Sequence, residues 1–179
     1  MKKRRSFYTV IIVVCILIIS VGAYYLLGGF DPIRIYYFAG TNRTVIGKEY
    51  YLPDQRKDFW EKLDSAKADL LDGTIKGNLV AVVYQDEWTD RDSIHCFIGA
   101  SQDSTQGVLR IPAGYEYKQF ETERIYKVFM TQNRWIQPTP GTIEEMMEVK
   151  SIEEGEVLQP YSFELYYRDG SSSVEKWVK

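Results

Sequence analysis

The sequence predicts an α+β protein in which a β-α-β-β order of elements occurs twice, behind an N-terminal transmembrane helix. Three observations predict it. The chain opens with Lys2, Lys3, Arg4 and Arg5 and then runs apolar from Phe7 to Leu27. Further on, Phe59, Leu63, Ala66 and Leu70 recur at i, i+4, i+7 and i+11, the spacing of one helix face. Aromatic and β-branched runs, 79–85 and 161–168 among them, alternate in the way strands do.

The apolar run is long enough to cross a bilayer, which takes a helix of about 20 residues. Tyr24 and Tyr25 stand where an interfacial aromatic belt lies, and the four leading cations belong on the cytoplasmic side, which puts the C-terminal domain outside. Val21-Gly22-Ala23 also fits a leader-peptidase site, so a cleaved leader is the alternative. The run is longer than the roughly 7–15 residues of a leader core, which favours an uncleaved anchor. Residues 1–27 are therefore read as basic tip and anchor, 28–32 as a linker of turn and breaker residues, and 33–179 as one exported domain.

Of the 22 Lys and Arg, four precede the apolar run, whereas all 25 Asp and Glu follow it, so the domain carries 18 bases against 25 acids, a net −7. A negative domain with no basic stripe excludes nucleic acid as a partner and attracts cationic or neutral ligands. Two cysteines make no disulfide framework, since Cys15 lies in the apolar run. One His, His95, beside Cys96 gives neither a metal set nor a thiol–imidazole pair, so no metal and no cofactor is expected. Fourteen tyrosines and four tryptophans fit either a β-rich core or an aromatic-lined pocket.

In chain order, 33–39 reads as a strand, 40–42 as a turn, and 45–50 as a continuation or a loop. Pro53 and Asp54 open the helix carrying Phe59, and Gly73 closes it. Strands follow at 79–85 and 93–100, joined by the polar stretch 86–92. In the second half, 108–110 leads into the break Ile111-Pro112-Ala113-Gly114, and 115–120 is a strand. Thr122 caps a predicted helix starting near Glu123, with Ile125, Val128, Phe129 and Gln132 on one side, which Pro138 and Pro140 stop. Thr142-Ile143-Glu144-Glu145 has a capping-box pattern and predicts a short acidic helix to about Val149, an insert with a solvated face. Strands at 161–168 and 173–178 finish the chain around the turn Asp169-Gly170-Ser171.

The strand 161–168 has two unlike faces. Tyr161, Phe163, Leu165 and Tyr167 form an oily side suited to pack under helices; Ser162, Glu164, Tyr166 and Arg168 form a mixed side suited to a ligand.

With the segments Leu79–Asp86, Phe97-Ile98-Gly99, Ile111–Tyr115, Tyr161–Tyr166 and Val174–Val178 in this order and spacing, the chain resembles the GyrI-like small-molecule-binding domains, the effector-binding domains of AraC- and MerR-type bacterial regulators. The resemblance runs from about Ile33 to the end. It implies two β-α-β-β units joined in one curved antiparallel sheet with helices on one side, and a ligand cleft between the units. It also implies a glutamate on the penultimate strand facing cationic aromatic ligands, and Glu164 holds that place. Two departures stand out: the second helix, Arg124 to Trp135, has one Trp, and the acidic insert 142–156 is atypical. No helix-turn-helix precedes the domain.

On this reading Glu164, partly desolvated on the concave face of the sheet, is the counter-charge for a cation. Tyr84, Tyr115, Tyr117 and Tyr166 are wall or hydroxyl candidates, and Trp60 and Trp135 are lids, with cation–π contacts of about 0.5–2 kcal/mol each. A solvated Glu164 paired with Arg168 is the plain alternative. Three functions follow: a membrane-tethered binding domain for a small apolar or cationic molecule; a hydrolase of reactive small molecules using Glu164 as general base beside a tyrosine; or a protein-interaction module whose partner the sequence does not name.

Overall fold

The computed structural model describes residues 2–29, 32–53, 57–85, 93–103, 111–130 and 137–179, with side chains from residue 11 onward. The predicted helix start at Asp54, the connection 86–92, the segment 108–110 and Trp135 lie outside the described residues. Helix α1 spans Lys2–Leu26. Its described side chains are exposed on every side and, Ser20 apart, apolar or aromatic, Ile19 and Tyr25 among them. Among the described residues no helix is long and apolar enough to cross a membrane.

The domain follows in the order β1 (Ile35–Ala39), β2 (Asn42–Leu52), α2 (Lys57–Leu71), β3 (Asn78–Tyr84), β4 (Ile94–Asp103), β5 (Glu116–Glu121), β6 (Arg124–Met130), α3 (Pro140–Glu154), β7 (Leu158–Tyr166) and β8 (Ser172–Val178). The eight strands form one antiparallel sheet in the order β1-β6-β8-β7-β3-β4-β2-β5. That order maps onto itself when β1–β4 are exchanged with β5–β8. Each half is thus β-α-β-β, β2-α2-β3-β4 and β6-α3-β7-β8, and each lends its leading strand to the far edge of the other. The two halves meet along β3 and β7, where Ala81 stands opposite Glu164.

Two expectations for the second half are corrected. Arg124–Met130 is a strand, not a helix. Its Ile125, Val128 and Phe129 fit a helical stripe, but Tyr126, Val128 and Met130 alternate equally well as a buried strand face. Pairing with β1 over Arg124–Val128 on one side and with β8 over Ile125–Met130 on the other engages the backbone along the strand and settles the choice. The acidic segment is no insert: it is α3, the helix of the second unit. Thr139, not Thr142, is its N-cap, accepting the Thr142 amide, with Pro140 in the first turn. Gly155, left-handed at φ 71°, ends it, five residues beyond the predicted stop. Segment 45–50 is the middle of β2, paired to β4 throughout and to β5 as far as Gly47.

Register fixes which side chains share a face. On one face α2 lays Phe59, Leu63 and Ala66 over Leu79, Ala81, Cys96 and Ile98, and α3 lays Ile143 and Met147 over Tyr126, Val128 and Val174. The other face is an aromatic core without a helix: Phe163 stacks on Trp177 with ring centres 4.4 Å apart, and Phe120 meets both edge-on. Arg43 on β2 bonds Glu175 on β8 at 2.7 Å. Three strands separate β2 from β8, about 19 Å in a flat sheet. The sheet therefore curls with the Phe163 face inward. The closing corner is tight: the Gly40 amide donates to Glu123 O at 2.7 Å, and a Cβ at Gly40 would fall 1.8 Å from the Thr122 carbonyl.

This curl corrects the reading of the 161–168 strand. The oily side packs inside the curl, and the side carrying Glu164 lies under the helices, on the convex face.

Candidate functional site

The site begins with the neighbours of Glu164. Across the sheet it faces Ala81 on β3 and Val174 on β8, two short side chains that leave room above the strands. Helix α2 rises from β2–β4 and α3 from β6–β8, so the seam between the units is roofed by neither. The gap between them is a cavity of about 460 Å³. Trp60 and Leu63 of α2 form one wall, Gln137–Pro140 leading into α3 the other, and Leu79 and Glu164 belong to the base. The volume suits a drug-sized molecule.

Glu164 is 8% exposed. Burial pushes its carboxyl up to about 7; the Tyr166 hydroxyl, donating to Oε2 at 2.5 Å, pulls down against it, and the charge of Glu144 adds upward. Among the described residues that hydrogen bond is its whole polar complement: no cation pairs with it. The Tyr166 ring in turn sets its edge against Trp60 with centres 6.0 Å apart, so the aromatic wall and the acid are held as one piece. Cys96 sits on the same face, its thiol pushed up to about 12 by burial and then by the Glu164 charge, too high for a nucleophile.

Beside this acid lies a second polar group that the sequence reading took for solvated surface. Glu144 of α3 turns down to accept Ser162 Oγ at 2.6 Å and Gln85 Nε2 at 3.0 Å. Lys176 Nζ, sealed beneath α3, stands 3.9 Å from both Glu144 and Glu148 and makes no hydrogen bond among the described residues. Burial lowers its pKa, partly offset by the two carboxylates.

Of the residues proposed from sequence, the structure brings Glu164, Tyr166 and Trp60 together around the cavity. Three others stand elsewhere. Tyr84 is on the opposite face, its hydroxyl accepting from Lys118 at 3.3 Å and its ring 4.5 Å from His95. Tyr115 donates to Asp69 on α2, outside the cavity. Tyr117 is on edge strand β5, 55% exposed. Period-2 alternation separates Tyr84 from Glu164 only once strand register is known. The wall 137–140 was missed because its two prolines were read as a stop; Thr139-Pro140 is also the signature of a helix start. His95 lies 3.0 Å from Glu49, and among the described residues no group of His, Cys, Asp and Glu could hold a metal.

No family model matches the chain, and no curated protein matches it. Solved structures do. The C-terminal domain of EcmrR is 10% identical, with 83% of this chain and 97% of that one covered and a TM-score of 0.50. EcmrR in a complex with DNA is 11% identical over 99% of this chain and 70% of that one, TM-score 0.51. SAV2435 bound to tetraphenylphosphonium is 11% identical over 83% and 94%, TM-score 0.45. At these identities the likeness to EcmrR is one of fold, and it agrees with the GyrI-like architecture that the residues resemble; the SAV2435 likeness goes no further than general shape.

Proposed function

We propose that the chain is a small-molecule-binding domain, tethered to a membrane by its N-terminal helix, that holds an apolar or cationic aromatic ligand between α2 and α3 with Glu164 as its counter-charge. One observation carries this reading: a buried carboxylate at the base of an aromatic-walled cavity, with a hydroxyl but, among the described residues, no cation beside it. Burying a carboxylate without a partner is costly, and structural acids are normally paired. A ligand cation supplies the missing charge, and Trp60 and Tyr166 give it ring faces. Only fold-level likeness joins the chain to EcmrR, so the ligand class rests on the site alone.

The tether rests on sequence: Lys2 to Arg5 ahead of an apolar stretch of about 20 residues, enough to span as a helix. Extraction of the full chain from membranes by alkaline carbonate would remove that part of the reading and leave the cavity untouched.

The test of the site is titration of the full chain with tetraphenylphosphonium and with a neutral isostere, tetraphenylmethane carrying a solubilising group. Glu164→Gln is expected to weaken the cation at least tenfold and the neutral compound by less than twofold. Equal affinity of wild type and Glu164→Gln for the cation defeats the assignment.

A second reading has its own support. A carboxyl near 7 within hydrogen-bond reach of a phenol is matched to general-base work on water. Turnover of an epoxide or lactone that Glu164→Gln and Tyr166→Phe both abolish would make the cavity an active site.

A further inference from the structure

The cavity is electrically graded, and the gradient narrows the class of ligand. At its base stands the sealed Glu164. At its rim stand Asp64 and Lys67, one helical turn apart on α2, and Arg168, just past the end of β7, all three exposed. Among the described residues neither Lys67 nor Arg168 has an ion pair or a hydrogen bond. The acid next to Arg168 in sequence is turned onto its own loop: Asp169 Oδ1 accepts the Ser171 amide at 2.9 Å and the Ser171 hydroxyl at 2.6 Å, and among the described residues it forms no ion pair with Arg168. Ser172 also lines the cavity. Among the described residues the rim thus carries two unengaged bases against one acid, above a floor that carries one acid and no base.

A purely cationic ligand satisfies the floor and is repelled on its way past the rim. A ligand with a cationic aromatic body and an acidic substituent satisfies both ends. Building on the cavity reading above, we propose that the natural ligand is of this zwitterionic class, with the cation on Glu164 and a carboxylate, sulfonate or phosphate group taken at the mouth by Arg168 and Lys67. Arg168 is the principal recognition residue: its planar fork meets a two-oxygen anion with two parallel bonds, and Asp64 offsets part of the Lys67 charge. The rim is open to water, so the anion keeps part of its hydration and the preference is moderate and salt-dependent.

Rhodamine B and its ethyl ester make the test, because they share one cationic ring system and differ in a single carboxylate. Fluorescence anisotropy of the full chain in mild detergent, with detergent-only blanks, gives both dissociation constants. Wild type is expected to bind the acid about threefold to tenfold more tightly than the ester at low salt, and the gap to close in 0.5 M NaCl. Lys67→Gln/Arg168→Gln is expected to erase the gap and leave the ester within twofold of wild type. Both positions are exposed and neither has an ion pair or a hydrogen bond among the described residues, and a thermal melt verifies that the variant folds. Glu164→Gln is expected to weaken both dyes. If Glu164→Gln weakens both but wild type binds acid and ester alike, or the rim variant weakens both equally, the zwitterion proposal falls and the cavity reading stands. If Glu164→Gln changes neither, or wild type binds neither dye, both fall.

Discussion

Glu164 and Glu175 lie on neighbouring strands, both nearly sealed from water, one on each face of the curled sheet, and they end in opposite electrical states. Glu175 receives Arg43 at 2.7 Å, Lys127 at 2.8 Å and the Trp177 indole at 3.2 Å. Arg43 itself lies over the Phe163 and Trp177 rings. Burial alone would raise the Glu175 carboxyl; Arg43 first and Lys127 second outweigh it and hold the pKa below the ordinary range. Glu164 has one hydroxyl, and its carboxyl rises to about 7. Among the described residues, one buried acid is completed by the chain's own cations and the other meets none and stands at a cavity. Both acids are buried, so burial does not distinguish a structural from a functional carboxylate here; whether the charge is closed by the chain itself does.

The sharpest way to break the comparison is to spoil the closed acid. Glu175→Gln leaves Arg43 and Lys127 inside the curl without their counter-charge, and removing one partner of a buried pair costs about 3–5 kcal/mol. Urea unfolding of the full chain in mild detergent at pH 7 should show that loss. The pH dependence has a definite sign. Because the folded pKa is depressed, the stabilisation is present above the ordinary 4.5 and disappears as pH falls through the folded value. Wild type and Glu175→Gln should therefore converge in acid. A constant gap down to pH 3 would mean that the ion pairs are not its source.

The open acid should behave in the reverse sense. Its folded pKa is raised from 4.5 to about 7, so folding is unhindered below 4.5 and loses stability as pH rises through that interval. Glu164→Gln removes the penalty. Above pH 7 the variant should be more stable than wild type by roughly 3 kcal/mol, falling to no difference by pH 4. A gain of stability where Glu175→Gln loses it, from the same chemical change one strand away, is the comparison at its plainest. If Glu164→Gln is destabilising at pH 8, the acid is structurally completed and the cavity is incidental.

The same contrast explains how much of this was legible beforehand. The helical stripe of Phe59, Leu63 and Ala66 and the alternation around Phe163 are local patterns, and both are found as elements. Glu164 stood out on the mixed face of an aromatic strand, at the place the resemblance assigns to a ligand-facing glutamate. What stayed hidden depends on partners distant in sequence. Arg124–Met130 fits two periods at once, and only flanking strands 89 residues before it and 48 after it, as in Ile35–Ala39 and Ser172–Val178, decide between them. Glu175 and Lys176 look like surface charge near a C-terminus; they are buried because β8 lies in mid-sheet, covered by α3 on one face and by the aromatic core on the other. Glu144 counted as one acid in a wet run until α3 proved to be the second unit's helix. Tyr84 and Tyr166 looked equivalent until register put them on opposite faces.

The smallest effect tests how the open acid is tuned. The Tyr166 hydroxyl is the one hydrogen-bond donor to Glu164 among the described residues, and it stabilises the ionised form against the cost of burial. Tyr166→Phe keeps the ring against Trp60 and removes the donor, so the carboxyl should rise further, by about one unit if the bond has the usual strength of a charge-assisted one. A cation binds the ionised acid, which makes its affinity climb about tenfold per pH unit below the carboxyl pKa and level off above it. Wild type should level off near pH 7 and Tyr166→Phe near pH 8, the two curves meeting at the same plateau. A shift in midpoint with an unchanged plateau means that the hydroxyl sets the charge of the site without touching the ligand. A lowered plateau at every pH would mean instead that Tyr166 contacts the ligand directly through its oxygen, and the carboxyl is tuned by burial and Glu144 alone.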